Sequence, residues 1–415
     1  MTGESVSSLI GTIKEYGPNT TQVLGILNSS EQVIKSSWQE LPMIMQELHV
    51  VQNSLACSYF LAEWNRHGLC EEQERFFLET ARVFLLSCDA SQVQAAPGKF
   101  ASVCAKFKDV LVAKGFARQA ILPLQSAVIK VQIRPDALTP VHADLLQVCL
   151  LAKFYGYAGD YLYPPRDTAG FSPYKCLTVL DPKKTGLTVK SFLLYCYYSG
   201  MVLVGLKKFR EATDFFLKAF TVPATALSAI VIASYKKYLL ICLLLNGQVS
   251  PIPEYTSQVV HRSIGVYCSE YLEFAKAYAS HDVGKLEEVL AKHTAVFNGD
   301  HNLGLVKQCI PSLRKRIIQR LTQTYLTLSL DDLAAKGKVE GSLEAFLLEM
   351  IDKGEILAKI SHKDQIIAFM EGAETEGLDV GFQGRIDQAI NLGAEMEELD
   401  ESLMTNRSFL QQHVS

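Results

Sequence analysis

The chain has 415 residues, of which 48% are hydrophobic and 20% are charged, and its formal net charge is −4. This length is expected to form two or three domains, and this composition excludes a disordered or fibrous protein. The slight acidity gives the chain as a whole no attraction for nucleic acid or for an acidic membrane.

The ten cysteines are spread along the chain, mostly inside apolar runs, with no Cys-x-x-Cys pair. The chain begins MTGESVSSLIGTIKEYG, which lacks the basic head and apolar stretch of a signal peptide. The longest membrane-like run, residues 192–206, is 15 residues long, short of the roughly 20 that a spanning helix needs. We therefore expect buried, reduced cysteines, no membrane partner, and a protein of the cytoplasm and nucleus.

Apolar residues in most of the first 300 positions recur at a spacing of three and four, which predicts helices. Pro123 suits the first position of one such helix. Two examples of apolar stripes are Leu124, Ala127, Val128 and Val131, and then Leu145, Val148, Cys149 and Ala152. Because each short helix must bury one face on a neighbour, this pattern predicts a helical stack.

One stretch predicts a repeat of the tetratricopeptide type. Gly200, Ala212, Phe216 and Ala219 have the spacing at which small and aromatic residues let two antiparallel helices interlock. Pro223 then closes the second helix. Other residues of that pattern are missing, and any helical hairpin would match part of it, so an ordinary hairpin remains the alternative.

Residues 160–190 contain four prolines and interrupt the helical pattern, which predicts a loop or linker.

The pattern changes after residue 320, following a helix predicted over 313–321. Residues 324–329 alternate like a short strand, and Ser329 with Asp332 has the form of a capping box that begins a helix. A second helix is predicted from a cap at Ser342 to Gly354, with an apolar stripe of Leu343, Phe346, Leu347 and Met350 on one face.

Two apolar runs at 355–360 and 365–370 predict a β-hairpin after that helix. Strand, helix, helix and hairpin is the order of elements in a winged-helix domain. The predicted fold class is therefore an all-α helical repeat stack followed by a winged-helix subdomain and a C-terminal helix.

The acidic segment 371–401 has ten acidic residues and one basic residue. Within and after it, apolar residues recur at a spacing of four and three, which is typical of a helix that packs against other helices. These residues are Leu392, Met396, Leu399 and Leu403. The alternative is a terminal helix that folds back onto its own domain.

The motifs of catalysis are missing from the sequence. It contains no HExxH zinc motif, no P-loop, no dinucleotide-binding glycine motif and no nucleophile elbow. His67 and Cys70 are three residues apart without a second pair, which favours a surface histidine beside a buried cysteine over a metal site. We expect no catalytic residue, no metal and no cofactor.

A winged helix also raises the possibility of nucleic-acid binding. The helix that would enter the groove, with its flanks over 341–355, carries a net charge of −3 and would be repelled by phosphates. The stretch 301–330 has the opposite character, because it holds Lys307, Arg314, Lys315, Arg316 and Arg320 and no acidic residue. A solvated face, or ion pairs with a neighbouring acidic subunit, is the favoured interpretation, with a nucleic-acid-binding module as an alternative.

Several long stretches resemble a known family. They are VHADLLQVCLLAKF (141–154), YCYYSGMVLVGLKKFREA (195–212), SYKKYLLICLLLNGQV (234–249), NLGLVKQCIPSLRKRIIQRLTQTYLTLSLDDLA (302–334) and MIDKGEILAKISHKDQIIAF (350–369). Their order, helical repeats running into a winged helix, resembles the PCI-domain family of the proteasome lid, the COP-nine signalosome and initiation factor three. The amino-acid sequences of these stretches are most similar to the third-subunit family of the signalosome. Similar proteins usually carry an acidic residue in place of Lys353 and a glycine in place of Gln365.

This resemblance implies a non-catalytic scaffold subunit of the complex that deneddylates cullins, with the hydrolysis in a different, metal-binding subunit. It implies partners that are other signalosome subunits, and cullin-RING ligases through the whole complex. Lateral pairing of winged helices is expected through Glu355, Ile356, Leu357, Ala358, Lys359, Ile360, Gln365, Ile366, Ile367, Ala368 and Phe369. The residues expected in a C-terminal helical bundle are Leu392, Met396, Leu399 and Leu403. A scaffold subunit of the proteasome lid or of initiation factor three is the alternative.

The predicted domains are helical repeats over 1–190 with the proline-rich loop at 160–190, a PCI domain over 191–372, and an acidic segment with the bundle helix over 373–415. Within the PCI domain, 191–300 is predicted helical and 301–372 a winged helix.

Overall fold

The computed structural model describes residues 6–16, 19–36, 40–64, 70–134, 137–162, 182–223, 226–337, 342–361, 365–370, 386, 389–394, 396–397 and 400. The chain divides into two compact units, Met1–Ile310 and Pro311–Ser415. The predicted domain division at residue 190 falls inside a helix, and the residues on both sides of it belong to the first unit.

The first unit is built from helices that pack mainly on their neighbours in sequence. They are α1 (Val6–Glu15), α2 (Thr20–Ser29), α3 (Glu31–Ser36), α4 (Leu41–Glu47), α5 (Ser54–Trp64), α6 (Glu71–Ser87), α7 (Ala90–Gln94), α8 (Pro97–Ala113), a 3-10 turn (Ala117–Ala120), α9 (Ile121–Val131), α10 (Pro140–Leu151), α11 (Tyr155–Leu162), α12 (Pro182–Thr185), α13 (Val189–Gly205), α14 (Phe209–Thr221), α15 (Ala229–Asn246), α16 (Gln258–Tyr267), α17 (Ser269–Ala279), α18 (Val283–Gly299) and the first residues of α19 (Leu303–Thr322).

The second unit continues α19 and adds a small sheet with two more helices. Its elements are β1 (Thr327–Ser329), α20 (Leu330–Gly337), α21 (Leu343–Asp352), β2 (Ala358–Ser361) and β3 (Ile366–Phe369). The three strands are antiparallel in the order β1–β3–β2. Leu328 and Ile360 both face Ile367 in this register. The predicted winged helix after a helical stack is confirmed.

The predicted interlock of α13 and α14 is present. Ala212, Phe216 and Ala219 are fully buried on α14, and the ring of Phe216 lies directly against Gly200 of α13. The lack of a side chain at Gly200 lets the two helices approach closely, as the tetratricopeptide pattern predicts. Pro223 follows the end of α14, as expected of a residue that cannot continue a helix.

Some predicted bounds were wrong by a few residues. Helix α9 begins at Ile121, so Pro123 is its third residue rather than its first. The strand predicted at 324–329 is formed only by its last three residues, because 323–324 form a turn after α19. Of the predicted loop at 160–190, residues 163–181 lie outside the described residues, while its two ends contain parts of α11, α12 and α13.

Both helices of the winged helix begin with the caps that the sequence predicts. The hydroxyl of Ser329 accepts a hydrogen bond from the backbone N–H of Asp332 at 3.1 Å. The hydroxyl of Ser342 accepts one from Ala345 at 3.3 Å. Each bond satisfies a backbone donor that the first turn of a helix leaves without a helical partner. These local signals set where α20 and α21 begin.

Helix α15 is the most apolar long helix of the described residues. By length and composition alone it could cross a membrane, a test that core helices of globular domains also pass. Every residue from Lys237 to Leu243 is buried. Lys236 and Lys237 interrupt the apolar residues of α15, whereas the predicted membrane-like run 192–206 contains no charged residue.

Eight of the nine cysteines in the described part of the chain are buried, as predicted. Burial raises the pKa of the Cys57 and Cys149 thiols to about 12, so both stay protonated at neutral pH. Cys70 was expected to be buried and is exposed. Its extended backbone caps the start of α6, which places it at the surface.

Candidate functional site

In the second unit, one face of the sheet packs against the helices and forms a hydrophobic core with them. Strand residues that alternate along β1, β2 and β3 point inward, since successive side chains of a strand lie on opposite faces. The buried residues of this core are Ile318, Leu328, Leu330, Leu333, Leu347, Met350, Ile356, Ala358, Ile367 and Phe369, with Leu343 and Phe346 packed beside them. The apolar stripe predicted for α21 therefore fixes the sheet.

Strand β3 lies between β1 and β2, and the ladder hydrogen bonds of its backbone are made on both sides. The predicted lateral-pairing residues from Gln365 to Phe369 therefore have no free backbone edge. In the described part of the chain, β1 and β2 each have a single neighbour, β3. Lateral pairing itself stays a prediction, and the strand order limits it to the outer edge of β2 or of β1.

The free edge of β2 can be identified from one hydrogen bond. The carbonyl oxygen of Leu357 accepts from the N–H of Met370 at 2.9 Å. Because bonded and non-bonded pairs alternate in an antiparallel ladder, the backbone groups of Lys359 face β3. Those of Ala358 and Ile360 face away from β3, where a further strand could bind them.

The predicted pairing residues before β2 are not part of the strand. Gly354 ends α21 in a left-handed conformation with φ of +67°, and Glu355 to Leu357 lead from it into the strand. Ile356 is buried in the core and Lys359 is exposed. Only Ala358, Lys359 and Ile360 of the predicted set 355–360 are therefore in β2.

Lys315 of α19 forms an ion pair with the segment that precedes β2. Its Nζ atom lies 3.0 Å from Oε2 of Glu355 and 3.5 Å from Oε1 of Glu349. Lys353 is also in contact with Glu349. The pKa of the Glu349 carboxyl is below its usual value, mainly because of Lys353 and to a smaller extent because of Lys315. The pair with Glu355 is partly buried, so it contributes more to the position of this segment than a fully exposed pair would.

Lys307 and Arg320 of the basic stretch in α19 are exposed, but the three basic residues between them do not form an open basic surface. Arg314, Lys315 and Arg316 are all half-buried, and Lys315 binds carboxylates of its own unit rather than of a neighbouring subunit. Helix α21 presents Leu348, which is exposed, beside Glu349 and Asp352. A helix with this acidic surface is repelled by a phosphate backbone, so the nucleic-acid alternative is not favoured.

The predicted bundle residues are only partly described. Residues 389–394 are helical, and Leu392 and Met396 are 61% and 65% exposed. Leu399 and Leu403 lie outside the described residues. The bundle contact stays a prediction.

The pair of Lys315 with Glu355 was not predicted, because the two residues are 40 positions apart in the sequence. The signal available was the charge pattern, a basic stretch in 301–330 and an acidic one in 341–355. Among the described residues, no three His, Cys, Asp or Glu side chains are grouped so that they could hold a metal ion.

The fold and the comparisons with known proteins define a PCI-domain protein with helical repeats before its winged helix. Residues 18–260 match the family "COP9 signalosome complex subunit 3, N-terminal helical repeats", and residues 290–371 match the PCI domain. The chain belongs to the COP9 signalosome complex subunit 3 family.

Two relatives named "COP9 signalosome complex subunit 3" show how much of the chain is shared. The protein of Arabidopsis thaliana is 34% identical over 374 residues, which are 88% of this chain and 83% of that protein. The protein of Dictyostelium discoideum is 30% identical over 405 residues, which are 96% of this chain and 93% of that protein. These matches do not favour the proteasome lid or initiation factor three.

Proposed function

We propose that this chain is a non-catalytic scaffold subunit of a COP9 signalosome, the complex that deneddylates the cullins of cullin-RING ubiquitin ligases. The observation that carries the proposal is the family match over both the helical repeats and the winged helix. The chain would act by holding other subunits in place, while a different, metal-binding subunit performs the hydrolysis. Cullin-RING ligases would be bound by the whole complex.

Two surfaces would hold the other subunits. The outer edge of β2 offers the backbone groups of Ala358 and Ile360 to a strand of a neighbouring PCI domain. The C-terminal helix would add Leu392, Met396, Leu399 and Leu403 to a helical bundle. The exposure of Leu392 and Met396 supports this second contact, because large apolar side chains left in solvent gain free energy when a partner buries them.

The complex would work in the cytoplasm and the nucleus. The buried, protonated thiols of the first unit support a reducing compartment. Cell fractionation of the tagged chain tests this part, and a chain found only in a membrane or secreted fraction would contradict it.

Affinity capture of the tagged full-length chain from native extract, with mass spectrometry and a cullin-deneddylation assay of the eluate, tests the main proposal. We expect signalosome subunits and zinc-dependent deneddylation in the eluate, and no deneddylation by the purified chain alone. Capture of proteasome-lid or initiation-factor subunits instead would overturn the function and leave the fold unchanged. Deneddylation by the isolated chain would overturn the non-catalytic role.

A proline at Ala358 tests the edge of β2. The N–H of Ala358 faces away from β3, so Ala358→Pro removes no bond of the sheet itself but blocks an added strand. Thr327→Pro is the matched control, because the N–H of Thr327 faces away from β3 on the opposite edge. Loss of one neighbouring subunit with Ala358→Pro and its retention with Thr327→Pro would place that neighbour on β2. Unchanged capture with a folded Ala358→Pro chain would exclude the β2 edge.

A further inference from the structure

The first unit contains a small polar cavity of about 210 Å³, apart from every residue assigned above. One wall is the first turn of α15, where Ala229, Ile232 and Ala233 leave the space open because two of them are small. The lining also includes Asn302, just before α19. At roughly 30 Å³ for a water molecule in the liquid, the cavity has room for a small ion with part of its hydration.

Lys237 lines this cavity and is only 7% exposed. Its Nζ atom donates to the Oδ1 atom of Asn302 at 2.6 Å. The ring of Tyr197 is another contact, 6.0 Å from the Nζ atom to the ring centre. An ammonium group has three N–H donors, so two remain for another hydrogen-bond acceptor. In the described part of the chain, no carboxylate lies within ion-pair distance of this Nζ atom. A buried cation without an anion is costly, which favours a ligand that supplies one.

The carboxylate that lines this cavity, Asp300, already has two partners. Oδ2 of Asp300 lies 2.7 Å from the Nζ atom of Lys236 and also accepts a hydrogen bond from the hydroxyl of Tyr271 at 2.8 Å. That hydroxyl in turn accepts from the Nδ2 atom of Asn302 at 2.8 Å. The chain of bonds therefore runs from Lys237 to Asp300 through neutral groups, and two lysines share one carboxylate.

The charge in the cavity is therefore positive by one unit. Burial lowers the pKa of Lys237 to about 8, which leaves most of the ammonium protonated at pH 7. The N–H groups of Ile230, Val231 and Ile232 in the first turn of α15 already bind Ser228, so they are not donors for a ligand. The ammonium groups of Lys236 and Lys237 are therefore the donors that this cavity offers to an oxoanion.

We propose that this cavity binds a small oxoanion, a phosphate or a carboxylate, between Lys236, Lys237 and the first turn of α15. The ligand would accept hydrogen bonds from the two ammonium groups and would neutralise the charge that Asp300 leaves uncompensated. This site is independent of the scaffold role proposed above.

Thermal unfolding of the full-length chain at pH 7 tests the proposal, with sodium phosphate, sodium acetate and sodium chloride at equal ionic strength. A ligand that binds the folded state raises the melting temperature in a saturable way. We expect such a rise with phosphate or with acetate relative to chloride, and the two salts distinguish the two sources of the oxoanion. The same response with all three salts would overturn the proposal.

Three variants make the test specific. Lys237→Met removes the buried ammonium and is expected to weaken the apparent affinity at least tenfold. Ala233→Leu fills the cavity from the α15 side without changing a charge, and it decides the matter if Lys237→Met does not fold. Lys285→Met, at an exposed lysine outside the cavity, is expected to keep the response. A response that persists in both Lys237→Met and Ala233→Leu would contradict the site.

Discussion

The ring of Phe216 occupies the place that a side chain at Gly200 would need. A Cβ atom at Gly200 would lie 2.6 Å from the Cζ atom of Phe216, closer than real Cβ contacts come. Both residues are buried, and Phe216 is enclosed between α13 and α14. The helical hairpin at the centre of the first unit therefore depends on the absence of a single methyl group.

Gly200→Ala is expected to destabilise the chain by roughly 1–3 kcal/mol, since the buried ring cannot move aside without repacking. The loss exceeds the gain of about 1 kcal/mol that alanine brings to a helix interior. Urea unfolding of the variant and the wild type measures the difference. Gly265→Ala is the control, because Gly265 lies inside α16 with open space around it. It should be neutral or stabilising, and equal destabilisation by both changes would refute the role of the close contact.

Gln365 immediately precedes β3 and has a left-handed backbone, at φ of +56°, and its carbonyl oxygen accepts from the N–H of Leu330 at 2.9 Å. A residue with a Cβ atom is strained there. Gln365→Gly is therefore expected to raise the free energy of unfolding by up to about 1 kcal/mol, with Gln365→Asn in between. Thermal and urea unfolding of the three chains give the order. A glycine variant less stable than the wild type would contradict the strain.

His142 is a buried histidine that the fold keeps neutral. Its Nδ1 atom accepts from the backbone N–H of Thr139 at 3.1 Å, and its ring packs between Tyr161 and Tyr195. Burial lowers its pKa from 6.5 to about 3. Below pH 6.5 the unfolded chain binds a proton at this residue and the folded chain does not, so stability is lost as the pH falls from 6.5 toward 3.

Between pH 7.5 and pH 5 this linkage is expected to cost the wild type about 2 kcal/mol of stability. His142→Gln removes the titration and should lose less over the same interval. Urea unfolding at the two pH values measures both chains. His261→Gln, at an exposed histidine, should keep the wild-type pH dependence. If His142→Gln keeps it too, the histidine is not the group responsible.

The predicted contact of the C-terminal helix with a helical bundle can be tested on Leu392 and Met396, the two of its four residues that the structure describes. Leu392→Asp with Met396→Asp places charges where apolar burial is predicted, so co-purification with other subunits should fall markedly. The chain's own unfolding should change little, because both side chains are exposed. Ile390→Asp is the matched control, since Ile390 is equally exposed but lies on another side of the helix. An equal loss of co-purifying subunits from both variants would argue against a contact specific to Leu392 and Met396. Full retention of those subunits by the double variant would exclude the bundle contact.

Local patterns predicted the elements of the second unit well. The cap at Ser342 and the stripe that includes Leu347 and Met350 lie within about three turns of one helix, so neighbouring residues determine them. The strand order could not be predicted in the same way. It depends on contacts such as Leu328 with Ile367, which are 39 positions apart, and nothing in either strand specifies the other. The central position of β3 therefore came only from the structure.

Charged residues were the least predictable part of the candidate sites. Lys236 and Lys237 are adjacent in sequence, which is typical of a solvated surface, yet residues more than 60 positions later bury one of them. Likewise, the basic stretch around Lys315 was interpreted as a solvated face or as a source of ion pairs with a neighbouring subunit, whereas Lys315 pairs with Glu355 of its own unit. Burial of a charge depends on what the rest of the chain places over it, and periodicity carries no information about that.

The position of β3 also determines when the winged helix can form. Its last strand in sequence is the central strand of the sheet, so β1 and β2 have no partner in that sheet until Phe369 has left the ribosome. A domain that is synthesised from its N-terminus cannot complete this fold during translation of its earlier residues. Until β3 has been synthesised, β1 and β2 cannot form this sheet, so a partner that pairs with the outer edge of β2 can bind only after translation has passed Phe369.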